Sequence, residues 1–165
     1  MGNDVFADVL AANAAYVERF DAAGLSGRAA RGLAVLTCMD TRIDPLAVLG
    51  LRPGDAKILR NAGARVTDEV VDTLVLARYL LGVERVLVMA HTGCRMASGT
   101  EADLHAAIAA AGGPDTTAIH FETTTDQRET LRQDVQRIRS SPFLDGLEVG
   151  GFLYDVETGR LEQTV

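Results

Sequence analysis

Four short apolar runs constrain this chain most. They are 33–37 (LAVLT), 56–60 (AKILR), 85–90 (RVLVMA) and 151–154 (GFLY). None alternates apolar with polar residues, so each suits a strand buried on both faces, as in a parallel sheet. Helical patterns lie between them. Segment 44–51 puts Pro45 in its first turn, where a missing N–H costs nothing. Segment 66–81 carries Val70, Val71, Leu74, Val75 and Tyr79 on one side, and Gly82 closes it. Segments 101–111 and 126–139 supply two more. Segment 3–21 sets Val5, Phe6, Val9, Leu10, Ala14 and Val17 on one helical face, with Asn3 or Asp4 as its cap. Strands alternating with helices predict an α/β fold around a mainly parallel, doubly wound sheet. Residues 154–165 predict a terminal hairpin that turns at Glu157-Thr158-Gly159.

A chain of 165 residues suits one domain, 1–165, with a real core. With 47% hydrophobic and 24% charged residues it is neither disordered nor collagen-like. No run approaches the ~18 apolar residues of a membrane span. The first ten residues lack the basic stretch of a secretory signal. Met1-Gly2 invites a myristoylation reading, but Phe6 stands where Ser or Thr is required. The net charge is −7, from 16 Lys+Arg against 23 Asp+Glu, and Lys57 is the only lysine. That balance offers no basic face to nucleic acid and predicts a soluble, cytoplasmic protein. Two cysteines, Cys38 and Cys94, cannot build a disulfide framework. In a reducing compartment they point to metal binding or catalysis.

Open parallel sheets bind ligands beyond the carboxyl ends of their strands. Cys38-Met39-Asp40-Thr41-Arg42 follows the first run directly, and His91-Thr92-Gly93-Cys94 follows the third. If those two strands are neighbours, Cys38, His91 and Cys94 converge. Thiolate and imidazole are the donors Zn²⁺ prefers, and three protein ligands leave a fourth position open. Along an extended stretch Cys38, Asp40 and Arg42 share one side. A carboxylate there can ligate the metal, or orient water on it while held by the guanidinium fork. Taken singly, each residue has a plain structural reading. A strand-end cysteine is often a small buried hydrophobe, Asp40–Arg42 a surface ion pair, and His91 a core histidine. As a set at two strand ends they point to a metal site. No phosphate-binding glycine loop, nucleophile elbow, phosphatase loop or C-x-x-C pair occurs. His105 and His120 stand outside both loops and read as surface residues, either one available to shuttle protons.

These motifs resemble those of the β-class carbonic anhydrases, in particular the compact bacterial subgroup. That family shows C-x-D-[ST]-R after its first strand and H-x-x-C after a later one. The matches are Cys38-Met39-Asp40-Thr41-Arg42 and His91-Thr92-Gly93-Cys94, with Arg60-Asn61-Ala62-Gly63 resembling the loop after the second strand. The similarity continues more weakly into the C-terminal GFLYDVETGRL. The resemblance implies a sheet of order 2-1-3-4 with a further edge strand. It implies an N-terminal helix (1–24) packed on a neighbouring subunit, and a homodimer or homotetramer. It implies zinc held by Cys38, His91 and Cys94, and reversible hydration of CO2 to bicarbonate and a proton by zinc-bound hydroxide. Asp40 then pairs with Arg42 in the active state and is a fourth ligand in a closed one. The same zinc site in this fold also suits hydrolysis of CS2 or COS, or a non-catalytic zinc- and bicarbonate-binding protein. Three departures stand out. Arg95 replaces the usual glycine after Cys94, no tryptophan is present for a bicarbonate regulatory pocket, and the cleft glutamine of the plant-type group has no counterpart.

Overall fold

The structure, a computed structural model, describes residues 5–165. Five strands form one sheet in the order β2-β1-β3-β4-β5. β1 (Leu33–Cys38), β2 (Ala56–Asn61), β3 (Arg85–His91) and β4 (Glu148–Tyr154) run parallel. β5 (Leu161–Gln163) returns antiparallel to β4 at the edge, through the predicted hairpin. All six residues of β1 are buried, which is why its sequence shows no polar alternation. In register, Cys38 lies opposite Asn61 and Thr37 opposite Met89, two residues before His91. The ends of β1, β2 and β3 therefore open side by side.

The helices are α1 (Ala7–Val17), α2 (Pro45–Val48), α3 (Asp68–Leu80), α4 (Glu101–Ala110) and α5 (Gln127–Arg139). Side chains already in place stop and start them. The Asp44 carboxylate caps α2, Thr100 and Asp103 form a capping box on α4, and Asp126 caps α5. Val70, Leu74 and Ala77 of α3 and Leu131, Val135 and Ile138 of α5 cover one sheet face, against Ala34, Leu36, Val86 and Val88. Each large aliphatic side chain so buried contributes about 1.5–3 kcal/mol. A second cluster gathers Ile43, Ala64, Met89, Met96 and Tyr154 around Cys38 and Cys94 at the carboxyl ends.

Three expectations shift. α1 spans 7–17 rather than 3–21, and none of its residues is buried; Asn3 and Asp4, the expected caps, lie outside the described residues. α2 keeps only one turn of the expected 44–51. β4 begins at Glu148 rather than at Gly151. Its glycines hide the strand signal, and α5 packs directly on one of them, Gly151. A Cβ at Gly151 would stand 3.0 Å from a Val135 methyl and 3.1 Å from Leu131. Among the described residues no helix is long and apolar enough to cross a membrane.

Candidate metal centre

Cys38 ends β1 and His91 ends β3, with Cys94 three residues on. One donor atom from each lies within 4.8 Å of the other two, and all three residues are buried. Among the described residues this is the one such cluster of metal-ligating side chains. The sequence expectation that β1 and β3 are neighbours is what brings them together.

The donor set fits a metal. His91 Nδ1 lies 2.9 Å from the Thr92 carbonyl oxygen. A carbonyl only accepts, so Nδ1 carries the proton and Nε2 keeps its lone pair. That Nε2 is buried without a hydrogen-bond partner. An unpaired buried acceptor is costly, and a cation among the donors removes the cost. The sulfurs behave accordingly. Hydrogen bonding from the Cys94 thiol, opposed by burial and aided by His91 and the Gly63 N–H, holds Cys38 far below an ordinary thiol. The hydrogen bond to Cys38 and burial push Cys94 well above one. Burial depresses the His91 ring, but Cys38, the Thr92 carbonyl and Asp40 outweigh it and raise its pKa. The site attracts positive charge.

Asp40 and Arg42 sit at the rim. Arg42 Nε donates to Asp40 Oδ1 at 2.9 Å and Nη2 to Oδ2 at 2.8 Å. The guanidinium and the Arg42 backbone N–H hold the Asp40 carboxyl below the usual carboxylate range. Asp40 Oδ2 is 3.9 Å from His91 Nε2, too far for a hydrogen bond. The extended arrangement expected over 38–42 is not what aligns this pair. Residues 40–43 form a turn, closed by Ile43 N to Asp40 O, and the Asp40 side chain accepts from Arg42 N at 2.9 Å. This is an Asx turn, which aspartate favours, and it folds Arg42 back onto the carboxylate.

The carbonic anhydrase family profile matches residues 33–161. The chain belongs to the β-carbonic anhydrase family. It is 35% identical over 161 residues to β-carbonic anhydrase 1 of Mycobacterium tuberculosis, covering 94% of this chain and 95% of that one. The carbonic anhydrase structure from Streptococcus mutans superposes with a TM-score of 0.91 at 35% identity, covering 100% of both chains. A carbon disulfide hydrolase of Acidianus is 29% identical over 157 residues, covering 81% of this chain and 77% of that protein.

In this β-carbonic anhydrase several contacts fix the site that spacing did not disclose. Arg60 donates to the Cys38 and Asp40 carbonyls, at 2.9 and 2.7 Å. Gly63 N donates to Cys38 Sγ at 3.4 Å. Gln127, the first residue of α5, donates to the His91 carbonyl at 2.9 Å. Thr92 Oγ1 accepts from Val156 N, tying the metal loop to the terminal hairpin. The family motif quoted Arg60 and Gly63, but nothing local in the sequence signals Gln127. Met39, Ala62, Met96 and Arg95 line the cavity beside Cys38 and Asp40. Arg95 is exposed at its mouth, with one guanidinium nitrogen 3.3 Å from Ser98 Oγ. His105 and His120 lie outside the donor cluster. His120 is exposed beside Glu101. His105 is not a surface residue as expected. It is half-buried, bonded to Thr116 at 2.9 Å and set against the Phe121 ring.

Proposed function

We propose that this chain catalyses the reversible hydration of CO2 to bicarbonate and a proton, with zinc held by Cys38, His91 and Cys94 and with Asp40 and Arg42 as the catalytic pair. The buried, unpartnered Nε2 of His91 beside two cysteine sulfurs carries this reading. Zinc there supplies a Lewis acid that lowers the pKa of water from about 15.7 to about 7. The chain's own groups direct the attack. Arg42 fixes Asp40, whose carboxylate accepts a hydrogen bond from the attacking oxygen and turns a lone pair toward the carbon. Freed from Arg42, the same carboxylate would be close enough to the donor cluster to serve as a fourth ligand and so hold the site closed, 3.9 Å from His91 Nε2 as it stands. Met39, Ala62 and Met96 offer an apolar wall to CO2. Arg42 and Arg95 place positive charge at the mouth, which suits the departing anion.

The assembly in this reading is a homodimer or homotetramer of one-domain subunits, with α1 (Ala7–Val17) of the N-terminal segment on a neighbouring subunit. The exposed apolar residues Val9, Leu10 and Val17 of α1 support it. A cytoplasmic location keeps the free thiols of Cys38 and Cys94 reduced.

The test is elemental analysis of the purified protein followed by stopped-flow CO2 hydration on the same sample across pH 7–9. Zinc near one ion per chain with turnover is the expected result. Zinc with no turnover at any pH overturns catalysis in favour of a binding role. The likeness to a carbon disulfide hydrolase supports a second reading, hydrolysis of CS2 or COS, linear molecules like CO2. Assaying all three gases side by side separates the two.

A further inference from the structure

We infer that Asn61, Arg65 and Asp134 are positioning residues that hold the Gly63 N–H on the Cys38 sulfur and so tune the charge this ligand gives a bound metal. The inference rests on the metal-site reading above. Gly63 N donates to Cys38 Sγ at 3.4 Å. The backbone reaches that point through two successive left-handed residues, Gly63 at φ 85° and Ala64 at φ 59°. Ala64 is the one non-glycine residue with positive φ among those described, and that conformation is unfavourable for any residue with a Cβ. A Cβ at Gly63 would be strained by its positive φ and would crowd Met96, whose Cβ would stand 3.0 Å away. Such backbone persists only where its surroundings over-determine it.

Here the surroundings are specific. The Asn61 side chain bridges the loop, accepting from Arg65 N at 2.9 Å and donating to Arg65 O at 2.7 Å. Arg65 then anchors the loop to α5, with Nε donating to Asp134 Oδ2 at 2.8 Å. Its Nη1 donates to the Glu122 carbonyl at 3.2 Å and pairs with the Glu122 carboxylate at 3.1 Å. Asp134 is only 4% exposed. A buried ion pair is weak grounds for stability, because apolar residues of similar volume do as well. Its position behind a ligand's hydrogen-bond donor gives it a use. An N–H on a thiolate withdraws charge from the sulfur, and hydrogen bonds of this outer kind set how strongly ligands hold a metal.

The test compares wild type with Asn61→Ala and Arg65→Lys, each stripped of metal and reloaded with Co(II). Wild type shows the thiolate-to-cobalt charge-transfer absorption; its absence overturns both the metal site and the clamp. With the band present, the variants are expected to move it to lower energy, as the sulfur regains charge. Zinc affinity, read by chelator competition, falls on the order of 10–100-fold, because losing the fixed position of the Cys38 sulfur outweighs its gain in charge. A wild-type band and wild-type affinity in the variants, even with a lowered melting temperature, overturns the clamp and leaves the metal site standing. Should Asn61→Ala fail to fold, Arg65→Lys keeps a cation against Asp134 and supplies both readouts.

Discussion

Asp40 stays ionised across the neutral range because three donors of Arg42, two on the side chain and one on the backbone, favour its charged form. Its folded pKa lies below the unfolded value of about 4. The stabilising contribution is therefore complete above that value and fades only as pH falls through the folded pKa. In metal-free protein, the stability lost on Asp40→Asn is expected to shrink as pH falls below about 4. Urea unfolding from about pH 5 down to about pH 2 checks this, and a gap that stays constant across that range refutes it. The activity of Asp40→Ala should fall about 100-fold, the scale of losing one orienting group, while zinc content is unchanged. Full CO2 hydration in that variant removes Asp40 from its role. Cys38→Ala and His91→Ala should lose zinc and activity together, which elemental analysis and stopped flow on one preparation decide. The residues of these predictions were legible because motif spacing set them at strand ends. Arg65 and Asp134 were not, being 69 residues apart with no local pattern to join them. The Asp40–Arg42 contact was legible as a pair but not as a geometry, since side-chain capping of a turn replaced the extended backbone.

The strands with continuous apolar runs were legible for a physical reason. β1 and β3 lie inside the sheet and bury both faces, so nothing polar interrupts them. β4 was read short because its first half includes two glycines, of which Gly151 lies against α5, where a Cβ would crowd Val135 and Leu131. α5 was legible as a helical pattern over 126–139, and the structure supplies its cap. The Asp126 carboxylate accepts from Glu129 N at 3.0 Å, and the next residue, Gln127, holds the His91 carbonyl. Asp126→Ala should cost about 1 kcal/mol, seen as a lower urea midpoint with an unchanged slope. No change in midpoint would mean that another donor or water already serves the helix end. α4 shows the opposite case. It is rich in alanine and none of its residues is buried, so it was legible from its helix-favouring alanines, while the capping box of Thr100 and Asp103 emerges in the structure.

At the scale of the whole molecule the sheet is covered unequally. α3 and α5 bury one face, whereas a depression lined by Leu33, Leu87, Gly150 and Phe152 opens on the sheet. α1 meanwhile exposes Val9 by 58% and Leu10 by 61%. Leaving several such side chains in water forgoes about 1.5–3 kcal/mol each, and a helix of 11 residues is marginal when nothing packs on it. In the assembly proposed above, a second copy of the chain would supply apolar surface at matched concentration and close by two-fold symmetry. The double variant Val9→Glu, Leu10→Glu puts two charges into that contact. Sedimentation equilibrium at micromolar concentration should show wild type as a dimer or tetramer and the variant shifted toward monomer. Zinc content should survive the change, because Cys38, His91 and Cys94 all come from one chain. A monomeric wild type, or a variant with the wild-type mass, means that α1 has no partner subunit and that its apolar face serves some other contact.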